Sequence, residues 1–188
     1  MENHYFIACT LSEEAKDQLH NIRRKYLTHD CFMKYPHQND LHVTLSFLGA
    51  VTAQQLKIIC DELSEKLMNL QQFPLTFKHI STFGSEESPR VWWTGPAESK
   101  ELTALYETVQ SAVSKIHKNE NRPFRPHVTL AKKWKGEKGE VFKGSIEPVS
   151  DWIKYVTIYE INPGQIPLYT NFASYKLKES GENHGTVN

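Results

Sequence analysis

The sequence predicts an α+β fold built on antiparallel sheet, and three observations predict it. Segments with helical and with strand-like periodicity interleave along the chain. Several strand-like segments lie close enough together to form hairpins, which a doubly wound parallel sheet would not contain. The linkers are short, and none reads as a domain boundary. The 188 residues therefore read as one domain over 1–179, with 180–188, polar and aperiodic, as a frayed tail.

Each element has its own signal. Tyr5–Thr10 (YFIACT) is an apolar run of strand length. Thr10 and Glu13 have capping-box spacing, and Ala15, Leu19, Ile22 and Tyr26 then fall on one helical face. FMKYPHQND, with Pro36, reads as a loop, and LHVTLSFL as a strand ending at Gly49. Thr52 and Gln55 form a second capping box. Leu56, Ile59, Cys60, Leu63, Leu67 and Leu70 follow as the cleanest amphipathic stripe of the chain. Pro74 precedes an alternating strand, Leu75–Phe83, and GSEESPR turns the chain into Val91–Gly95, completing a hairpin. A third helix starts near Ser99, with Leu102, Leu105, Tyr106, Val109, Val113 and Ile116 buried. KNENRPFRP is a loop, HVTLAKK a strand, and Trp152–Ile161 and Phe172–Leu177 are the last two strands. The expectation is at least three helices and about seven strands. The order strand, helix, HVTL strand, helix, then hairpin, helix, HVTL strand indicates two related halves.

Composition excludes some classes. Lys and Arg number 22 and Asp and Glu 22, so no net charge steers polyanions globally. Cys9, Cys31 and Cys60 have no metal-ligand spacing and read as thiols in a reducing compartment, the cytoplasm; Cys60, on an apolar stripe, reads as core. The start, MENHYFIACTL, lacks the basic residues and apolar run of a signal peptide, and no apolar run is long enough to cross a bilayer. No H-E-x-x-H or paired-cysteine motif is present, and HQND (His37–Asp40) reads as a turn, so no metal and no cofactor is expected.

The informative feature is a tetrapeptide that occurs twice, at His42–Leu45 and at His127–Leu130. On a strand, side chains alternate faces. Val43 and Leu45 then anchor a core while His42 and Thr44 share the opposite face, and Val128 and Leu130 do the same behind His127 and Thr129. By the same parity Phe47 belongs with Val43 in the core. Imidazole, with an unperturbed pKa of about 6.5, can give or take a proton near neutrality. Two of them can divide acid and base work, and a hydroxyl beside each can donate to an oxyanion. The competing reading, two core strands with satisfied histidines, fits less well, because histidine is rarely fully buried and valine and leucine already fill the core side. HGTV at His184–Val187 and HIST at His79 are looser matches, the first in the tail and the second an ordinary strand histidine.

With these flanks (NDLHVTLSFLG, RPFRPHVTLAKK and SPRVWWTG) the chain resembles the 2H phosphoesterase superfamily, and most of all its RNA 2′,3′-cyclic phosphodiesterase (2′-5′ RNA ligase-like) branch. The resemblance runs through nearly the whole chain before the tail. It implies a bilobal fold: two antiparallel sheets related by a pseudo-two-fold axis flank a central groove, with helices on the outer faces. It implies His42 as proton donor to the leaving 3′ oxygen, His127 as proton acceptor from water, and Thr44 and Thr129 on the phosphate oxygens. The reaction implied opens a terminal 2′,3′-cyclic phosphate to a 2′-phosphate. The branch often carries arginine where this chain has Lys132, which keeps the charge but loses the bidentate fork.

Around the motifs, Arg125 shares the groove face if its strand extends back past Pro126. Arg122, Arg125, Lys132, Lys133, Lys135, Lys138 and Lys143, against Glu137 and Glu140, form a track for an RNA backbone or a solvated loop. Tyr169 and Trp134 can stack on a base or simply pack, and one of Trp92 and Trp93 belongs to the core. The expected partners are RNA ends or nucleotides bearing a 2′,3′-cyclic phosphate, acted on by a monomer with no membrane or protein partner. Two alternatives stay open: a noncatalytic RNA-end or nucleotide binding module, and a 2H phosphodiesterase or 2′-5′ RNA ligase acting on another substrate.

Overall fold

The structure, a computed structural model, describes residues 3–116, 123–136 and 141–179. The predicted tail, Arg122 and Lys138 lie outside the described residues. Among the described residues, nine strands and three α-helices run in the order β1 (His4–Thr10), α1 (Glu13–Tyr26), β2 (Phe32–Lys34), β3 (His42–Ala50), α2 (Ala53–Leu67), β4 (Phe73–Gly84), β5 (Pro89–Pro96), α3 (Lys100–Val113), β6 (Val128–Trp134), β7 (Gly144–Ile153), β8 (Tyr155–Ile161) and β9 (Tyr169–Lys176). A 3-10 turn, Gln38–Asp40, precedes β3.

The strands form two sheets, β3-β1-β8-β9 and β2-β6-β5-β4-β7, with neighbouring strands antiparallel throughout the described residues. Setting aside β2, the orders superpose as 3-1-8-9 on 6-5-4-7. Each HVTL strand is thus reached from the preceding inner strand through a 14-residue helix, α1 or α3. This is the duplication that the repeated tetrapeptide announces. The helices cross between halves. α1 follows β1 of the first sheet but packs on β7 and β6 of the second, and α3 follows β5 of the second sheet but packs on β3 of the first. The exchange ties both halves into one continuous apolar core, with Leu19 and Ile22 from α1, Leu105 and Val109 from α3, and Ile7, Phe77 and Trp92 from the sheets.

Several expectations need correction. The N-cap of α1 is Ser12, whose hydroxyl accepts from Ala15 N at 3.1 Å, and not Thr10. Thr10 is still strand, paired with His42 on one side and Tyr155 on the other. The second capping box, Thr52 with Gln55, is formed as expected. FMK within the expected loop is strand β2, pairing with β6. Trp152–Ile161 is two strands rather than one, broken at Lys154, and the halves belong to different sheets. β7 reaches back to Gly144 and carries Pro148, which an edge strand tolerates because its outer N–H groups need no partner. Trp92 is the core tryptophan, and Cys60 is only half-buried. Phe47 is 56% exposed, against the parity argument.

The reason for Phe47 is a β-bulge. Ile7 pairs with Ser46 but Ala8 with Thr44, so Leu45 is an extra residue in β3. After a bulge the alternation shifts by one. Ser46 turns inward and Phe47 outward, opposite Phe6. β6 carries the same irregularity at the same place: Trp92 pairs with Ala131 but Trp93 with Thr129, leaving Leu130 extra. Leu130 and Ala131 are both buried, and Lys132 comes onto the outward face that parity alone denies it. The leucine of each HVTL is thus the bulged residue.

Candidate active site

Both motifs deliver their imidazoles in the same way. The backbone folds so that the ring turns back on its own chain. His42 Nδ1 lies 2.6 Å from the carbonyl of Asp40, and His127 Nδ1 lies 2.8 Å from the carbonyl of Arg125. A carbonyl only accepts, so Nδ1 carries the hydrogen in each ring and Nε2 is left with the lone pair. His42 Nε2 is 2.9 Å from Thr44 Oγ1, which donates to it in the neutral ring. The Thr129 hydroxyl makes no hydrogen bond within the described residues.

Aromatic rings from the two neighbouring strands of each sheet wall the histidines. Phe6 of β1 and Tyr159 of β8 stand 4.7 and 6.2 Å from the His42 ring. Trp93 of β5 and Phe83 of β4 stand 6.0 and 4.9 Å from the His127 ring. Gly95 makes room for the second wall: a Cβ there would lie 2.7 Å from the Trp93 ring. Removal from water disfavours the charged imidazole. Burial pushes His42 down to about 4, more than the Asp40 carbonyl and carboxylate restore, with the nearby His127 and Lys132 pushing the same way. Burial also lowers His127, against the Arg125 carbonyl. The charge of His127 thus bears on His42, and β3, which carries His42, comes into contact with β6, which His127 immediately precedes.

Of the other predicted residues, Tyr169 and Lys132 reach this centre. The Tyr169 ring stands edge-on to His42 at 5.4 Å and to Phe6 at 4.7 Å. Lys132 is half-buried, its pKa lowered by burial and then by Lys34 and Lys133. Arg125 does not arrive as expected. β6 starts at Val128, residues 123–127 are irregular, and the exposed Arg125 meets the site through its backbone carbonyl. Trp134 packs edge-on against Phe32 at 5.3 Å. The basic track narrows, because Lys135 is held by Asp30 at 2.5 Å and Lys143 by Glu86 at 3.1 Å.

Sequence reasoning missed Asp40, which it placed in a turn. The residue is buried, and besides its carbonyl on His42 its carboxylate accepts from Leu168 N at 2.9 Å and Tyr169 N at 3.1 Å. It locks the end of the β8–β9 connection against the first motif. The signal was position alone: a carboxylate two residues before a candidate catalytic histidine. Among the described residues, no group of three or more His, Cys, Asp or Glu side chains is placed to hold a metal ion, and no helix is long and apolar enough to cross a membrane.

Two antiparallel sheets, each offering a His-x-Thr strand from the same bulged position, are the build of a two-histidine phosphoesterase. The model of the LigT-like phosphoesterase family matches residues 10–93. An RNA 2′,3′-cyclic phosphodiesterase of Bacillus subtilis is 32% identical over 179 residues, covering 93% of this chain and 96% of that protein. One of Geobacillus stearothermophilus is 30% identical over 181 residues, and the chain spans 57% of its length. Among solved structures, Escherichia coli LigT complexed with 3′-AMP superposes with a TM-score of 0.81 at 23% identity, covering 94% of this chain and 99% of that one. TT0787 of Thermus thermophilus gives 0.80 at 23%, covering 95% and 100%. At that identity the structures show the fold. The chain belongs to the LigT-like phosphoesterase family.

Proposed function

We propose that the protein is an RNA 2′,3′-cyclic phosphodiesterase, hydrolysing terminal 2′,3′-cyclic phosphates to 2′-phosphates by acid/base catalysis between His42 and His127. The observation that carries this reading is the matched pair of imidazoles, each with Nδ1 tied to the carbonyl two residues back and Nε2 left as the reactive nitrogen. His127 Nε2 takes a proton from water as its oxygen attacks phosphorus. The bond from phosphorus to O3′ breaks in line, and His42 Nε2 gives its proton to O3′. Thr44 and Thr129 donate to the two non-bridging oxygens, which carry the charge. His42 and Thr44 are coupled. With the ring neutral the Thr44 hydrogen points at Nε2; once Nε2 is protonated that hydrogen is released to the phosphate.

His42 must be charged to act as the acid, whereas burial holds it neutral in the free protein. The anionic substrate supplies the difference, since a negative phosphate beside both rings favours their charged forms. The substrates are RNA ends or nucleotides, and the working unit is a monomer. The spacing of the three cysteines supports a cytoplasmic setting.

The test is to incubate the protein, with EDTA present, with an oligoribonucleotide ending in a 2′,3′-cyclic phosphate, and to determine which oxygen keeps the phosphate. A 2′-phosphate is expected. A 3′-phosphate overturns the leaving-group assignment, and tight binding without turnover makes the groove a noncatalytic RNA-end module.

A further inference from the structure

Beside His42, and reached from it through Asp40 and Tyr169, a cleft of about 480 Å³ opens between the sheets. The second sheet lends it Met33 and Lys34 of β2 and Lys132 of β6, and the first sheet lends Tyr169 of β9, with Ile166 from the β8–β9 connection on the other rim. It is continuous with the catalytic centre, because Tyr169 stands against His42 and Lys132 acts on His42 through space.

Two features of this cleft, and a third in the residue that follows Lys132, are costly in a free protein. Lys34 and Lys132 are directly opposite each other in the β2–β6 pair, and like charges so placed repel. Lys133 follows at once, in the left-handed region with φ 63°. No carboxylate forms an ion pair with Lys34, Lys132 or Lys133 among the described residues, and the nearby Asp40 carboxylate is already committed to the Leu168 and Tyr169 N–H groups. Met33 is 65% exposed and Ile166 82%, so two large apolar side chains flank the lysines in water. A positive floor between apolar walls suits a ligand that is anionic on one side and flat and apolar on the other. A nucleotide within a strand is such a ligand. An RNA chain with its cyclic phosphate at the 3′ end can leave the catalytic centre only toward its 5′ side.

We propose that this cleft binds the nucleotide immediately 5′ of the cyclic end, with its phosphodiester between Lys34 and Lys132 and its base between Met33 and Ile166. The inference rests on the cyclic-phosphodiesterase reading and makes an oligoribonucleotide, rather than a mononucleotide, the preferred substrate. The lysine pair is relieved when the phosphodiester sits between the two charges.

The experiment compares kcat/KM for a dinucleotide ending in a 2′,3′-cyclic phosphate with that for a nucleoside 2′,3′-cyclic monophosphate. A preference of about tenfold or more for the dinucleotide is expected, the size of effect that burying the apolar surface of one further base against Met33 and Ile166 supplies. Lys34→Ala and Ile166→Ala, both at exposed positions, should each cut that ratio several-fold. Lys34→Ala should also lower the dependence of log affinity on log salt by about 0.7, the share of one single-strand phosphate contact. That slope is measured by equilibrium binding of a 5′-labelled oligoribonucleotide ending in a 2′-phosphate, which needs no turnover. Equal kcat/KM for the two substrates, or Lys34→Ala lowering both by the same factor, overturns the subsite while leaving the hydrolase reading intact. Length-dependent, Lys34-dependent binding without any turnover overturns the hydrolase and keeps the subsite.

Discussion

The side-chain amide of Gln110 donates at 2.8 Å to the backbone carbonyl of Leu45, the bulged residue of the first motif. Gln110 stands as far into α3 from Lys100 as Arg23 stands into α1 from Glu13. Arg23 Nη1, in turn, reaches the carbonyl of Leu130, the bulged residue of the second motif, at 3.4 Å, and that of Pro36 at 2.7 Å. A bulge takes a carbonyl out of the sheet ladder, and a buried carbonyl needs a donor. Each exchanged helix supplies one. The crossing of the helices therefore braces the two catalytic strands as well as joining the lobes.

Gln110→Ala removes that donor and leaves the Leu45 carbonyl unpaired. A loss of about 1–3 kcal/mol in unfolding free energy is expected, the cost of one buried group without a partner. Because Leu45 adjoins Thr44, kcat should fall with KM little changed. Denaturant melts and steady-state kinetics read the two effects, and a variant as stable and as fast as the parent would show that the bulge holds itself.

The pH dependence follows from burial. In the free protein both imidazoles sit below the ordinary value of 6.5, His42 at about 4. The active form needs one ring charged and the other neutral, so kcat/KM is a bell whose limbs belong to the coupled pair. Both limbs should fall below 6.5, placing the maximum on the acid side of neutrality. At saturating substrate the phosphate charge raises both rings, and the kcat profile should move to higher pH. Profiles of the two parameters that coincide, or a kcat/KM maximum above pH 7, would contradict this. His42→Asn and His127→Asn should each lower kcat by about 100- to 10,000-fold and remove one limb.

Gly95→Ala tests the wall behind His127. The new Cβ would lie 2.7 Å from the Trp93 ring and 3.3 Å from His79. Trp93 stacks on Phe83 at 4.7 Å, and both rings touch His127, so the displacement reaches the imidazole. Overpacking of this kind costs about 1–3 kcal/mol. A lower thermal midpoint together with a lower kcat is expected, and Trp93→Ala introduced with Gly95→Ala should recover part of the stability.

How far the sequence reads is itself set by local physics. Alternation over His42 to Leu45 gave the correct faces because those residues lie before the bulge. One step later it misplaced Phe47, since the bulge falls on a leucine and carries no glycine to mark it. The capping residues Thr52 and Ser99 were legible because a cap is a local hydrogen bond. β2 and β7 were not. Three residues cannot show a period, and Pro148 argues against a strand unless the strand is known to be an edge. The exchange of α1 and α3 between sheets leaves no local trace, because either helix has an apolar face that fits either sheet.

Asp40→Asn separates the two jobs of the residue that sequence reasoning passed over. Its carboxylate accepts from two backbone N–H groups, Leu168 and Tyr169. An amide offers one oxygen and one NH₂, so one of the two donors would face another donor. A loss of about 1–3 kcal/mol follows from that mismatch. The charge has a second effect: the Asp40 carboxylate raises His42 against the stronger pull of burial, so removing it lets the ring fall further. The lower limb of the kcat/KM profile should then move to more acid pH. A role confined to holding Leu168 and Tyr169 would reduce stability without moving the limb, and Asp40→Glu, one methylene too long for the paired acceptor geometry, should recover part of the limb position but little of the stability. If Asp40→Asn leaves both the thermal midpoint and the limb where they were, the carboxylate neither anchors β9 nor tunes the first histidine.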